Sequence, residues 1–220
     1  MDAIECIRTR TSIRKFKSES VSKDLLREII DIAHRSPSYR NCQPWEVSVV
    51  SGGKKDALSA LLINMAEKGV VPNPDIPAPQ SWPSDIQLRI ESHLKRRAEN
   101  SGVNMSHPGY MKNNLIENFR FYGAPHAVFL FQDSSLSNWQ ILDMGMFAQS
   151  LMLAAHSKGV GTVPQAYLTH YPAVVKKFFE IPDSKRLVLG LSVGYPDMTE
   201  KAVPFRSDPV AVNSIIKWFE

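Results

Sequence analysis

The stretch from Ser137 to Lys158 constrains this chain most. Ser137 and Gln140 make a capping-box pattern, Gly159 suits a stop, and the residues between are apolar on nearly every side. The spacing predicts one long helix. A helix of that kind cannot lie on a wetted surface, so the fold must enclose it, within the chain or between two subunits. Enclosure needs a sizeable core, and 220 residues, 43% hydrophobic and 22% charged, can supply one as a single domain over 1–220.

Elsewhere Ile4 and Ile7 share one helical face, and a Ser22 cap precedes Leu25, Leu26, Ile29, Ile30 and Ala33. Two amphipathic helices, 1–10 and 22–35, are expected, with the non-helical run RTSIRKFK near the first exit. Strands are expected at EVSVV (46–50), HAVFLFQ (126–132) and RLVLGLSVG (186–194), each rich in Val, Leu or Phe. Five of the fifteen prolines fall in 70–83, which excludes a regular element there. They introduce a polar, aromatic-bearing segment running to about Tyr122, expected as an insertion or lid. From Ser207 on, Pro209, Val210, Val212, Ile215, Ile216 and Phe219 predict an apolar terminal helix that must dock on something.

Several functions are set aside. The net charge of +4 is dispersed, and its densest cluster, Lys95, Arg96 and Arg97, reads as a solvated helix face, so no nucleic-acid partner is expected. The start carries no apolar run suited to a signal peptide, and nothing approaches the roughly 20 apolar residues of a membrane span, so no membrane association and a cytoplasmic location are expected. Cys6 and Cys42 read as free thiols, and the six histidines lack metal-ligand spacing, so no metal is expected. There is no GxxxxGK[ST], GxGxxG, GxSxG or HExxH.

Four constellations carry chemistry. Arg10, Ser12 and Arg14 alternate, so an extended segment could turn two guanidiniums and a hydroxyl toward one anionic ligand. Pro37, Ser38, Asn41, Gln43, Pro44 and Trp45 precede a strand, with amides suited to the edge of a heterocycle. KGVGTVPQAYL (158–168) adds a glycine turn and an extended piece whose backbone N–H groups could meet a ligand ring. Last come GYPD (194–197) and Arg206.

Their order, RxSxR, then PSxxNxQPW, a long buried helix ending in GxGxxP, then GYPD and a late Arg, resembles the nitroreductase superfamily of FMN flavoproteins. The resemblance spans nearly the whole chain except a variable segment at about 67–117. It implies an α+β fold, with a mixed, mainly antiparallel sheet flanked by helices in an intertwined homodimer. It further implies that the long helix lies in the interface and that the tail wraps the partner.

By the same resemblance Arg10 and Arg206, with Thr11 and Ser12, hold the FMN phosphate, and Arg14 is a cation near flavin N1 and O2. Pro37, Ser38, Tyr39, Asn41 and Gln43 reach the flavin from the other subunit, and Pro164, Gln165, Ala166 and Tyr167 pass along the ring with backbone N–H groups toward N5. Many relatives carry Glu-Gly where Ala166 and Tyr167 stand. No side chain is expected to be catalytic, because FMN carries the chemistry.

The implied activity is ping-pong reduction of small electron-poor aromatics, nitrobenzene or nitrobenzoate among them, by NADH or NADPH. Tyr110, Phe119 and Phe121 are expected at the substrate, with Arg89, Arg120 or Lys112 available for a carboxylate. Glu91, Lys95 and Tyr110 could instead imitate the lid of a reductive dehalogenase. Quinone reduction, or flavin binding without turnover, is the remaining alternative.

Overall fold

Helix boundaries fall where side chains satisfy the orphan backbone groups of the first turn. The computed structural model describes residues 1–101, 107, 109–199 and 205–220. Helix α1 (Ala3–Thr9) starts where Asp2 accepts from Glu5 N at 2.9 Å, and α2 (Lys23–Ala33) where Ser22 Oγ accepts from Leu25 N at 3.2 Å. Strand β1 (Glu46–Ser51) runs straight into α3 (Gly52–Glu67), followed by α4 (Ser84–Ser101), α5 (Tyr110–Phe119) and β2 (His126–Asp133). The long helix is α6 (Asn138–Ser157), with the capping box in place and Gly159 at φ +73 as its stop. Then come β3 (Gly161–Gln165), α7 (Pro172–Phe179) and β4 (Lys185–Gly194).

The strands pair antiparallel in the order β1-β2-β4-β3. A parallel bridge from Ser12 to Thr162, with Ile13 N donating to Thr162 O at 3.0 Å, occupies the outer edge of β3. This makes the sheet mixed and mainly antiparallel, as expected. Strand β2 is buried on both faces. Phe129 and Phe131 meet Leu58 and Leu62 of α3, Phe119 of α5 and Val175 of α7, while Val128 and Leu130 meet α2 and α6. Each fully buried Leu or Phe contributes about 1.5–3 kcal/mol.

Helix α6 buries Met144, Phe147, Leu151 and Ala155 against the sheet, yet Trp139, Leu142 and Met146 stay 60%, 58% and 39% exposed. Its own chain therefore encloses only one of its two apolar faces.

Three regions depart from expectation. Helix α3 was not anticipated: its apolar residues point several ways, Leu61 outward and only Leu58 and Leu62 fully inward, so no clean period marks it. The terminal helix is absent. The described tail is extended, with one 3-10 turn at Val212–Ser214, and Trp218 and Phe219 are 80% and 90% exposed. A short helix gains too little without a surface to bury its stripe on, and the described residues offer none. The excursion after Glu67 is irregular through 83 as expected, tethered by Asn73 N to His170 O at 3.0 Å and Tyr171 Oη to Val70 O at 3.1 Å. Beyond 83 it is helical in α4 and α5. Among the described residues no helix is long and apolar enough to cross a membrane.

Candidate active site

The RxSxR strip is stitched down at both ends. At the β3 edge a Cβ on Gly161 would come within 2.7 Å of Ile13 Cγ1, so only glycine admits that approach. Farther on, Lys17 N donates to Tyr195 O at 2.9 Å and Asp197 N to Lys15 O at 3.1 Å, and Lys15 Nζ pairs with Asp197 at 3.1 Å. The GYPD segment thus acts as a clamp on the strip. Ile13 goes into the core and the alternation leaves Ser12 and Arg14 on the other side, half-buried; Phe16, which also enters the core, falls outside that alternation.

At the start of the strip Arg10 Nη1 is buried with no hydrogen-bond partner. Burial, and then the neighbouring Arg206, pull the Arg10 pKa below its ordinary value. Thr11 Oγ1 donates to Phe205 O at 3.4 Å, which brings the Arg206 segment here. Thr9 Oγ1 meets His156 Nε2 at 2.8 Å, joining the end of α1 to the last turn of α6. Burial and then Arg10 push His156 down, against a smaller opposing pull from Glu5. Two guanidiniums side by side, one with an orphaned buried donor, form a local charge deficit that a phosphate would fill.

Arg14 lies half-buried, its Nη1 donating to Ser12 O at 3.5 Å. Burial and then Arg97 lower its pKa, and Tyr122, its hydrogen-bond partner, and Tyr110 raise it. Tyr110 is therefore close to the strip, where a substrate residue is expected.

Phe119 and Phe121 are not available to a ligand, which corrects that part of the sequence expectation. Both are wholly buried, Phe119 against His170 and Tyr171 at 6.4 and 5.8 Å and Phe121 against Phe129 at 6.3 Å. In the FRFY run the alternation sends 119 and 121 inward and 120 and 122 toward the surface. Two of the expected carboxylate binders are occupied as well, Arg89 by Asp85 and Arg120 by Glu117 at 2.9 Å. Lys112 lines, with Glu67, Met111, Leu115 and Tyr167, an open cleft of about 360 Å³.

Strand β3 delivers Pro164 and Gln165 beside the strip and ends in a 3-10 turn, Ala166–Thr169. The Gln165 amide is spent internally. Nε2 donates to Asn118 O and Oδ1 at 3.0 and 3.1 Å, and Oε1 accepts from Ser192. This buried network pins the end of α5 to β3 and leaves only the backbone of Gln165 for a ligand. Ala166 is exposed, and the Tyr167 ring rests edge-on against His170 at 4.9 Å.

The 37–43 loop sits elsewhere. Tyr39 N donates to both carboxylate oxygens of Asp143 at 3.0 and 3.1 Å, Cys42 Sγ to the same side chain at 3.6 Å, and Gln43 N to Ser38 Oγ at 3.0 Å. Tyr39 stacks on Trp139 at 5.9 Å. These contacts hold Arg40, Asn41 and Gln43 at φ of 52, 57 and 45°, an unusual run for residues other than glycine. Asp143 is near the first turns of α6 and His156 at its end, so at the helical rise the loop is about 20 Å along the axis from Arg10. One chain therefore brings together Arg10, Thr11, Ser12, Arg14, Arg206, Tyr110 and the 164–167 backbone. It does not bring Pro37, Ser38, Tyr39, Asn41 or Gln43 to them.

Asp143 and His156 escaped sequence reasoning. The signal for Asp143 was there, as a lone carboxylate inside an otherwise apolar helical run.

The profile of the nitroreductase family matches residues 7–195. Over 197 residues the chain is 34% identical to a 4-nitrobenzoate reductase of Pseudomonas putida, covering 87% of this chain and 84% of that one. It is 32% identical over 195 residues to nitroreductase NfnB of Mycolicibacterium smegmatis, covering 88% and 82%. The solved structure of the FMN-dependent nitroreductase NfnB from Mycobacterium smegmatis in complex with NADPH superposes with a TM-score of 0.93 at 29% identity, covering 99% of this chain and 98% of that chain. The arginine strip, the Asp143-held loop and the 164–167 turn all lie inside the matched span, and the chain belongs to the nitroreductase family.

Proposed function

We propose that this protein is an FMN-dependent NAD(P)H oxidoreductase that reduces electron-poor aromatics, nitroarenes first among them, and works as a homodimer. The observation that carries the reading is the buried, unpartnered Nη1 of Arg10 beside Arg206. Arg10 and Arg206 hold the FMN phosphate there. Ser12 assists from the strip, and Thr11 ties Phe205 and hence Arg206 in place. FMN, once bound, supplies the electron transfer between pyridine nucleotide and nitro group.

The chain's own residues position that chemistry. Arg14, steadied by Tyr122, would present a fixed positive charge to the reduced flavin, and the backbone of 164–167 would offer its N–H groups to the ring. Tyr110 borders the substrate face.

The dimer rests on two supports. The apolar stripe of Trp139, Leu142 and Met146 and the extended apolar tail find no cover among the described residues of their own chain. The 37–43 loop, distant from its own Arg10, meets the arginines of a second copy if two α6 helices pair antiparallel. The relatives named a 4-nitrobenzoate reductase and an FMN-dependent nitroreductase in complex with NADPH support both cofactor and substrate class.

The test is steady-state kinetics on FMN-loaded protein, with NADPH or NADH varied against 4-nitrobenzoate and nitrobenzene. Parallel double-reciprocal lines with either nitroarene are expected, because donor and acceptor use one face in turn. Intersecting lines reject the ping-pong order, and absence of turnover with every nitroarene in a panel that includes quinones and halophenols rejects the substrate class.

A further inference from the structure

Helix α4 has no fully buried side chain among those described, yet its charges are sorted by face. Ile86, Ile90, His93, Leu94 and Arg97 are half-buried at helical spacing, while Lys95 stays exposed. The tail segment fixes the helix above the arginine strip. Arg96 pairs with Asp208 at 2.7 Å and lies 5.8 Å over the Phe205 ring, and His93 packs on the same ring at 5.3 Å. His93 thereby sits on Phe205, whose carbonyl accepts from Thr11 of the strip, and Arg97, one turn on, is near enough to Arg14 for the two charges to interact.

Like charges are thus gathered, and of the three arginines around His93 only Arg96 has a paired carboxylate among the described residues. Burial, then Arg97, Arg14 and Arg96 hold His93 below its ordinary pKa. Among the described residues no carboxylate is ion-paired with Arg97 or Arg14, although Arg89, Arg96 and Arg120 each have one. A long cation with only a surface role would extend into water as Lys95 does. Arg97 is instead half-buried and within electrostatic reach of Arg14, an arrangement that an anion between them would stabilise.

We propose that Arg97 and His93, facing Arg14, form an oxyanion-binding site on the inner face of α4 that takes an anionic group of the molecule brought to the cofactor face. Two molecules could supply that group, an aromatic acid through its carboxylate or the pyridine nucleotide through a phosphate. Arg97 offers a bidentate fork, and neutral His93 offers one N–H. The proposal rests on the reading above that a flavin lies along Arg10 to Arg14, and it is separate from the Arg10 and Arg206 site.

Direct binding tests it without turnover. FMN-loaded wild type, Arg97→Gln, His93→Gln and Lys95→Gln are titrated with benzoate, with its neutral isostere benzamide, and with adenosine 2′,5′-bisphosphate, following the flavin absorbance and the heat of binding. Arg97→Gln is expected to weaken one of the two anions by about 10- to 100-fold, with a smaller loss in His93→Gln and much less change for benzamide. Loss confined to benzoate assigns the site to the aromatic acid, and loss confined to the bisphosphate assigns it to the nucleotide. Equal losses in Lys95→Gln, or no loss of either anion in folded Arg97→Gln and His93→Gln, overturn the proposal. Failure of wild type to retain FMN or turn over nitroarenes would reject the functional reading instead, and that result is scored separately from the variant-to-wild-type ratios.

Discussion

The two ends of α6 solve opposite problems. At its start the 37–43 loop is satisfied within the chain: both carboxylate oxygens of Asp143 accept from the single Tyr39 N–H, Ser38 Oγ accepts from Gln43 N, and Tyr39 lies on Trp139. At its end Arg10, Arg206 and His156 crowd together and one buried donor has no acceptor. The first end is a finished structural joint. The second has the character of a place completed from outside the chain, because its orphaned donor lies among like charges that an anion would neutralise.

The contrast can be broken experimentally. Arg10→Gln is expected to weaken FMN binding by on the order of 2–4 kcal/mol, while the melting temperature of the apoprotein does not fall, because a like-charge contact is relieved. Unchanged FMN affinity would remove the phosphate assignment. Asp143→Ala should do the reverse at the other end, costing about 2–3 kcal/mol in urea unfolding of the apoprotein as Tyr39 N loses its acceptors. A wild-type midpoint would mean that the loop is held by stacking alone.

Gly161→Ala is expected to cost about 1–3 kcal/mol, with faster amide exchange at Ile13, because the added methyl collides with that side chain. Normal protection of Ile13 would show that the strip has room to shift. The smallest effect is with pH. His126 Nε2 accepts from Val21 N at 2.9 Å, and burial followed by Lys55 holds its pKa below the ordinary 6.5. The unfolded chain therefore takes up the proton first, and stability present above pH 6.5 is lost as pH falls below it, at up to about 1.4 kcal/mol per pH unit. His126→Gln should flatten the melting-temperature profile between pH 7.5 and 5.5; an unaltered slope would shift the effect to His93, His156 and His170, which are depressed in the same direction.

Features that obey local rules were legible in the sequence. The Ser137 and Gln140 capping box, the Ser22 cap and the strands at 46, 126 and 186 announce themselves through short-range hydrogen bonding and period. The two-residue alternation of Arg10, Ser12 and Arg14 was legible because the strip pairs with an edge strand. Features set by long-range packing were not. Phe119 and Phe121 belong to an aromatic run whose inward phase is fixed by α5 and β2, and α3 hides its buried pair in a helix apolar on several sides. Lys95, Arg96 and Arg97 read as one solvated cluster, whereas the fold gives the three cations three surroundings: solvent, Asp208 and Arg14. The tail reads as a helix because its apolar spacing is genuine, but the described residues provide no surface for it to dock on.

The 20 Å between the Asp143-held loop and Arg10 also governs how damage is inherited by an assembly. If each site draws its loop from one copy and its arginines from the other, a mixed pair of an Arg10→Gln chain and an Asp143→Ala chain places both lesions in one site and leaves the second intact. Two inactive parents, unfolded and refolded together, would then yield mixed pairs with one working site in two. Subunit complementation of that kind follows wherever the two halves of a site lie too far apart on one chain to meet, as the ends of α6 do here.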